Sequence, residues 1–574
     1  MKPASTPVVV LENVTVTYPR RQVPVLDRVT LSLEAGEQVI ILGPSGAGKS
    51  TLLNLMTGVI PHSVAARFTG RVLVAGQDTA HTGVAELSRT VGVLAQDPES
   101  AMCMPDVQRE IALPLENHAV PPRQIEGLID EVLEQVNGAS LKDRSTRQLS
   151  GGQGQRVALA ASLVVEPPVL LLDEPTSMLD AEGISSVRRS IDRAVHDRGP
   201  AVVLVEHRID EYAGADGVAG LPGRAIVLDA EGALIADGPT RTVLKQSARQ
   251  LVDAGCWTPL ETELQAACGT EGGLASPIVR EELLHWAEGQ PTVPQPTQAT
   301  DSVVLSARGL SITRAPIPAR KRRREPAVIS PQLEGIDLEL RSGEIVALLG
   351  ANGTGKTSLL LALAGLLQPL AGTISGDRPG LVFQNPEHQF VATTVREEVG
   401  HGLPALINGR PAQEKIDDLL AEHRLTHLAA SNPFRLSGGE KRRLSVAAML
   451  AHSRNVLLAD EPGYGLDRKA TISMMGAFRD AAADGQSILF SSHDLRSVAS
   501  LAHRGIVIAE GTIIADGPIF DVLGDRDVLA RAGIVLPPLL DWLLGLGKSP
   551  EQIKNILDAL DREVAPAARM QVPS

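Results

Sequence analysis

The chain reads as an α/β protein made of one domain used twice, and three observations carry that reading. A glycine-rich loop, GPSGAGKS at 43–50, returns as GANGTGKT at 350–357. Each copy follows an apolar run (39–42 and 345–349) and precedes a leucine-rich one starting at Leu52 or Leu359, a strand–loop–helix context. Landmarks downstream of each loop recur in the same order and in nearly the same register.

In chain order, residues 8–18 alternate apolar and polar side chains and predict a strand, and a turn at 19–24 leads to a second strand over 25–33. Ala35-Gly36-Glu37 turns the chain into the strand before the first glycine loop. A helix follows the loop, then a β segment around 70–76, then a short apolar strand ending just before Gln96. Residues 105–148 are charged and helix-rich and run into RQLSGGQGQR at 147–156. Val169-Leu170-Leu171-Leu172 predicts a buried strand closing on Asp173-Glu174, and 201–205 another closing on Glu206-His207. Residues 218–238 read as a terminal β-hairpin, with turn signals at Pro222-Gly223 and Glu231-Gly232. Short helices are expected over 245–290, followed by a Pro-rich linker at 290–297. Then the order repeats. Lys49 and Lys356 stand 307 residues apart, Gln96 and Gln384 288, Ser150 and Ser437 287, Asp173 and Asp460 287, His207 and His493 286. The first half therefore carries its extra residues between the lysine and the glutamine. After Gly517-Pro518 a leucine-rich tail is expected to be helical from Pro537 onward and frayed over the last dozen residues.

At 574 residues the chain is too long for a single core, and 43% hydrophobic with 21% charged residues is ordinary for globular domains. Aromatic residues make up only 2%, which argues against base-stacking platforms, and the net charge of −14 argues against a general nucleic-acid binder and against loose adsorption on anionic lipid. Cys103, Cys256 and Cys268 form no C-x-x-C pair, so neither a zinc site nor a disulfide framework is expected, and a reducing cytosol suits them. The N-terminus has no signal-peptide apolar core. The most apolar segment, 157–172, is broken by Glu166-Pro167-Pro168 and reads as a buried helix followed by a buried strand rather than a membrane span.

Both loops fit G-x-x-x-x-G-K-[ST]. Successive N–H groups in such a loop converge on phosphate oxygens, and the following helix adds its positive end. Gly43, Ser45, Gly46, Gly48, Lys49, Ser50 and Thr51 form the first cradle; Gly350, Asn352, Gly353, Gly355, Lys356, Thr357 and Ser358 form the second. The lysines suit β- and γ-phosphates, and Ser50 and Thr357 suit Mg²⁺. One match could be an accidental glycine-rich turn; two in matching context are not. An Asp-Glu pair at a strand end is by itself usually solvated, and LSGG by itself is usually a helix cap. Here Asp-Glu-Pro accompanies each phosphate loop, and LSGG lies 23 residues before the aspartate in both halves.

This set resembles the ATP-binding subunits of ABC transporters, twice in one chain. The resemblance implies two tandem ABC ATPase domains, each a P-loop NTPase core with an antiparallel β subdomain and a helical signature subdomain. The expected division is a first domain at 1–245, its extension at 246–289, a linker at 290–301, a second domain at 302–525 and a helical tail at 526–574. It implies ATP with Mg²⁺, the metal held by Asp173, Ser50 and Gln96 in one site and by Asp460, Thr357 and Gln384 in the other. Glu174 and Glu461 would polarise the attacking water, His207 and His493 would contact the γ-phosphate, and Tyr18 would stack on adenine. Ser150, Gly151 and Gly152, and Ser437, Gly438 and Gly439, are the signature motifs. In this family each faces the other domain's nucleotide, pairing Lys49 with Ser437 and Lys356 with Ser150, head-to-tail. Glu440 replaces Gln153 at the equivalent signature position, and both Asp180 and Asp467 are kept in the loop after the Asp-Glu pair. Arg314 stands where Tyr18 does in the first half; its planar guanidinium can stack on a base. Two competent sites are expected. The basic run 320–324 reads foremost as a solvated hairpin loop, with lipid head groups or a membrane partner, then nucleic acid, as alternatives.

QNPEHQF at 384–390 followed by TVREEV at 394–399 resembles the Gln-helix region of energy-coupling factor (ECF) ATPases, which energise uptake of vitamins and of nickel or cobalt. QDPES at 96–100 with DVQREI at 106–111 is a looser copy, with Ala101 and Met102 replacing the second glutamine and its apolar neighbour. The segments 254–263 and 532–539 resemble the regions that follow such domains. This resemblance implies an ATP-hydrolysing subunit at the cytoplasmic face of the cell membrane, docked on a transmembrane T-type subunit that also holds a substrate-binding S-type membrane subunit, with no span of its own and no nucleic acid. Alternatives are a fused ATPase of another ABC importer class and a soluble twin-ABC translation factor. Translation factors join their halves by a long charged helix, unlike the short Pro-rich linker here. DNA-repair relatives carry zinc modules or coiled coils, and neither is visible.

Overall fold

In the computed structural model of the chain, the described residues are 7–19, 21, 23–95, 101–149, 151–176, 179, 181–288, 302–313, 331–407, 410–452 and 454–565. They fall into two compact units, Met1–Val279 and Arg280–Ser574. The division lies inside the helix Pro277–Ala287, and the expected linker at 290–301 is outside the described residues.

The strands of the first unit are β1 (Val9–Thr17), β2 (Leu26–Leu33), β3 (Gln38–Leu42), β4 (Arg67–Val74), β5 (Gln77–Asp78), β6 (Val91–Leu94), β7 (Val169–Asp173), β8 (Ala201–Val205), β9 (Arg224–Leu228) and β10 (Leu234–Pro239). Two sheets result. An antiparallel one has the order β2-β1-β4-β5, and a six-stranded one the order β10-β9-β3-β8-β7-β6, parallel except for the terminal hairpin. In β1 the period-two burial of Val9, Leu11, Val14 and Val16 slips by one at a bulge, where Asn13 takes a φ of 49°. The parallel strands are apolar at nearly every position because both faces are covered. Val39 and Ile41 join the core against the antiparallel sheet, while Ile40 and Leu42 join the core against the helices. The helical layer comes from Val107–Asn117, Pro122–Gln135 and the signature helix Gly151–Leu163, packed around Val107, Ile111, Ile129, Val132 and Leu163.

The second unit repeats the plan with β11 (Val303–Ile312), β12 (Leu333–Arg341), β13 (Ile345–Leu349), β14 (Ala371–Gly376), β15 (Gly380–Val382), β16 (Leu406–Ile407), β17 (Arg410–Pro411), β18 (Val456–Asp460), β19 (Ser487–Ser491), β20 (Arg504–Ala509) and β21 (Thr512–Pro518). Its main sheet, β21-β20-β13-β19-β18-β15, has the order of the first unit's. Val395–Gly400, Ala412–Glu422 and the signature helix Gly438–Ala451 form its helical layer.

The expected helix and strand of 157–172 are present, ending at Leu163 and starting at Val169. The expected hairpin at 218–238 is shorter: Gly214–Gly220 is a 3-10 segment, and pairing starts only at Arg224. The glycine-rich 214–220 has no alternating side chains to sustain a strand. The tail carries the helices Pro538–Gly545 and Pro550–Val564. Among the described residues, no helix is long and apolar enough to cross a membrane.

In each main sheet the strand before the glycine loop, β3 or β13, is central, with chain crossing to both sides of it. Its carboxyl end is where such sheets open a crevice for ligands. Three neighbouring strands there deliver the glycine loop, the Asp-Glu pair and the histidine to one edge.

Candidate functional site

Each glycine loop leaves its central strand and is folded by backbone that only glycine tolerates. Gly48 and Gly355 cap the helices Lys49–Met56 and Lys356–Leu363 with φ of 89° and 107°. A Cβ on Gly48 would lie 2.6 Å from the Val25 carbonyl oxygen, and one on Gly355 2.8 Å from Leu333 Cγ. Side chains are thus excluded on both conformational and steric grounds. Lys49 Nζ donates to the carbonyls of Gly43 at 2.7 Å and Pro44 at 2.9 Å, so its buried ammonium spans the loop. Lys356 does the same with Gly350 at 2.6 Å and Ala351 at 3.0 Å.

The next residue of each helix reaches the neighbouring strand: the Ser50 hydroxyl is hydrogen-bonded to Asp173, and Thr357 to Asp460. Asp173 is pushed up to about 6, by burial first and then by Glu174; the Ser50 hydroxyl, His207 and Lys49 oppose the shift. Asp460 is also raised, by burial first, against its bonds to Ser491 and Thr357. A buried carboxylate held above its ordinary range, beside a hydroxyl, is an oxygen set that fits a hard divalent cation. Among the described residues no group of three His, Cys, Asp or Glu forms a metal cage. An ion shared with substrate phosphates needs few protein ligands of its own.

Glu174 and Glu461 follow these aspartates with φ of 50° and 48°, the left-handed region rarely used by such residues. The same strained turn in both units aims both carboxylates at the histidines. His207 Nε2 lies 3.0 Å from Glu174 Oε1, and His493 Nε2 3.3 Å from Glu461 Oε1. The supports differ. Glu174 N donates to the Val205 carbonyl at 2.8 Å, whereas Glu461 N donates to Ser491 Oγ at 3.0 Å, and Ser491 Oγ donates to Asp460 at 2.7 Å.

The signature helices begin at Gly151 and Gly438. In the second, Ser437 and Glu440 form a capping box, with Ser437 N donating to Glu440 Oε2 at 2.7 Å, so the glutamate that replaces glutamine serves the helix start. Tyr18 OH and Thr51 Oγ1 are 3.0 Å apart. In the second unit Ser358, the counterpart of Thr51, donates to Gln332, whose amide donates to the Gly353 carbonyl at 2.9 Å. Gln96, Ser150, Arg314 and the basic run 320–324 lie outside the described residues.

Glu206, Thr176, Gln332, Ser491 and Arg442 were not singled out from the sequence as site residues. Arg442 is buried in the second signature helix and donates to the carbonyls of Phe383 and Gln384. Aligning the two halves on their motifs is the signal that could have found them, because Glu206 stands against Ser492, Thr176 against Gly463 and Gln155 against Arg442.

The sequence profile of the ABC transporter family matches residues 26–177 and 333–463, one match in each unit. The chain belongs to the ABC transporter ATP-binding family. It is an ABC ATPase with two ABC domains fused. It is 32% identical over 553 residues to the Bacillus subtilis (strain 168) protein named "Putative HMP/thiamine import ATP-binding protein YkoD", covering 93% of this chain and 96% of that one. It is 34% identical over 537 residues to the Streptomyces coelicolor protein named "Putative ABC transporter ATP-binding protein SCO2324", covering 89% and 94%. Among solved structures, the archaeal ribosome recycling factor aABCE1 in complex with stalk protein aP1 aligns with a TM-score of 0.55 at 18% identity, over 93% of this chain and 98% of that one. At that identity the last likeness concerns the twin-domain fold alone.

Proposed function

We propose that this ABC ATPase is the energy-coupling subunit of an ECF-type importer for a vitamin or vitamin precursor, with transition-metal uptake as the other cargo of that class. The observation that carries the proposal is the end-to-end likeness to a relative named for HMP/thiamine import. The glutamine-loop segment supports it. Gln389 is locked to the signature helix by bonds to Ser445, and Phe390 packs edge-on against the exposed Phe434, so this segment joins the nucleotide edge to an apolar surface.

In this proposal the glycine loops with Lys49 and Lys356 bind the phosphates. Mg²⁺, held by Asp173 with Ser50 and by Asp460 with Thr357, neutralises phosphate charge when bound. Glutamines 96 and 384 complete its surroundings and sense the partner. Glu174 and Glu461 orient and polarise water, and His207 and His493 contact the γ-phosphate. Tyr18 stacks on adenine in the first half, with Arg314 in its place in the second. Two ATPs are proposed to bind head-to-tail, Lys49 with Ser437 and Lys356 with Ser150, as the family resemblance implies. The protein would work at the cytoplasmic face of the membrane, with a T-type and an S-type membrane subunit supplying the passage.

Purification from its native membranes tests this. Small integral membrane partners should accompany the wild-type chain, and replacing His388-Gln389-Phe390 with alanines should lose them while nucleotide binding stays. Unchanged co-purification, or partners of another importer class, would overturn the ECF assignment.

A further inference from the structure

One buried carboxylate near the site has no role in the scheme above. Glu206 lies between β8 and His207 and is 4% exposed. Its Oε1 accepts the backbone N–H groups of His207 at 2.8 Å and Arg208 at 2.9 Å. Its Oε2 accepts the Thr176 hydroxyl at 2.6 Å and the Thr176 N–H at 3.3 Å. A single side chain therefore binds both ends of the His207–Glu174 contact, because Thr176 lies two residues after Glu174.

This is an expensive way to build a core. A buried carboxylate is costly even when fully hydrogen-bonded. Burial pushes its pKa up, and the like charge of Glu174 pushes in the same direction. The second unit does without it. Gly463 has no side chain to offer, and Ser492 Oγ accepts the nearby Asp494 N–H at 3.1 Å. There the His493 N–H lies 3.3 Å from Glu461 Oε2. The backbone bond taken by Glu206 in the first unit thus falls on Glu461 itself in the second.

We propose that Glu206 is a positioning residue of the first nucleotide site, bracing His207 and the segment after Glu174 into one rigid piece through Thr176. Among the described residues the second site shows no counterpart of this carboxylate, so the two sites are built differently: in the first the His207 N–H is held by Glu206, and in the second the His493 N–H is held by Glu461, which must leave that bond when it acts. This rests on Glu174 and His207 being the reacting pair of the first site.

The test uses the full chain and Glu206→Ser, which installs the second unit's residue, with Thr176→Val, which removes one hydroxyl at nearly constant volume, and Glu206→Gln, whose carbonyl oxygen can still accept from His207 and Arg208. Glu206→Ser should lower kcat for ATP by about twofold to tenfold, the range expected for a misplaced group, with KM changed by less than about twofold. Thr176→Val should show the same split to a smaller extent, and Glu206→Gln should recover at least half of the loss. Without nucleotide, hydrogen exchange at the amides of Thr176, His207 and Arg208 should accelerate in Glu206→Ser, while those of Glu461 and His493 stay unchanged. If Glu206→Ser does not fold, Thr176→Val decides alone. Unchanged kcat and unchanged exchange in the folded variants would overturn the brace. Glu174→Gln separates the two failures: if it keeps full turnover, the assignment of the reacting pair is wrong; if it loses turnover while the brace variants do not, only this inference falls.

Discussion

Asp173→Asn should stabilise the first unit of the nucleotide-free protein at neutral pH. The folded protein holds this carboxyl at about 6 against an ordinary 3.8, chiefly because it is buried and stands beside Glu174. Between those values the folded chain keeps a proton that the unfolded chain has released, so stability falls as pH rises through this window and the penalty is complete above about pH 6. At about 1.4 kcal/mol per pH unit the penalty is ~3 kcal/mol. Asparagine is isosteric, cannot ionise, and still offers a carbonyl oxygen to the Ser50 hydroxyl. The gain should be ~3 kcal/mol at pH 7.5, or about 5–10 °C in Tm for a unit of this size, and should shrink toward zero near pH 4. The assay is urea unfolding without nucleotide and with EDTA, read by pulsed hydrogen exchange on peptides from β7 and β8 so that the first unit is followed alone. Comparing the variant with wild type at each pH cancels the titrating groups that do not interact with Asp173. A loss of stability at pH 7.5, or a gain independent of pH, would refute the view that the buried carboxylate is strained until a cation neutralises it.

A Glu174→Gln, Glu461→Gln double variant should bind ATP within about threefold of wild type and lose at least ~100-fold in hydrolysis; near-normal turnover in a steady-state phosphate-release assay would remove the proposed role of both glutamates. His423 is pulled down to about 4 by burial, with Arg443 reinforcing, and its Nε2 has no hydrogen-bond partner among the described residues. Its folded value lies below 6.5, so the unfolded chain binds the extra proton first, and the second unit should lose ~3 kcal/mol as pH falls from 6.5 to 4. His423→Gln should flatten that part of a pH–stability curve. Asp561 is buried beside Arg468, which opens the helix after Asp467, and near Arg496. Asp561→Ala should cost ~3–5 kcal/mol by removing the buried carboxylate that Arg468 is paired with, seen as early unfolding of the second unit, whereas an exposed control, Asp417→Ala, should cost under about 1 kcal/mol.

What could be read in advance was what the chain writes contiguously. The glycine loops, the LSGG helix starts and the Asp-Glu strand ends are each set by a few neighbouring residues, and their repetition exposed the twin plan. The buried parallel strands were legible because both faces need apolar side chains, as in 169–172. The hairpin of 218–238 is shorter than its two turn signals predict, because they are not equivalent. Only Glu231-Gly232 turns the hairpin, with Gly232 at a φ of 78°, while Pro222-Gly223 merely leads into it.

The sequence by itself determined the fold class, the twin organisation and which residues stand at the ends of which strands, because these follow from local backbone chemistry and hydrophobic period. Only the tertiary structure decided how those ends are held. Thr176 meets Glu206 across 30 residues, Arg442 meets Phe383 across 59 and Arg468 meets Asp561 across 93. Such pairs leave no periodic trace, since a polar side chain is drawn to its partner by the cost of burial without hydrogen bonds and not by any preference of the chain between them. The raised Asp173 has the same origin: its neighbours Glu174, Ser50 and Lys49 could be read from the sequence, but the burial that dominates the shift could not.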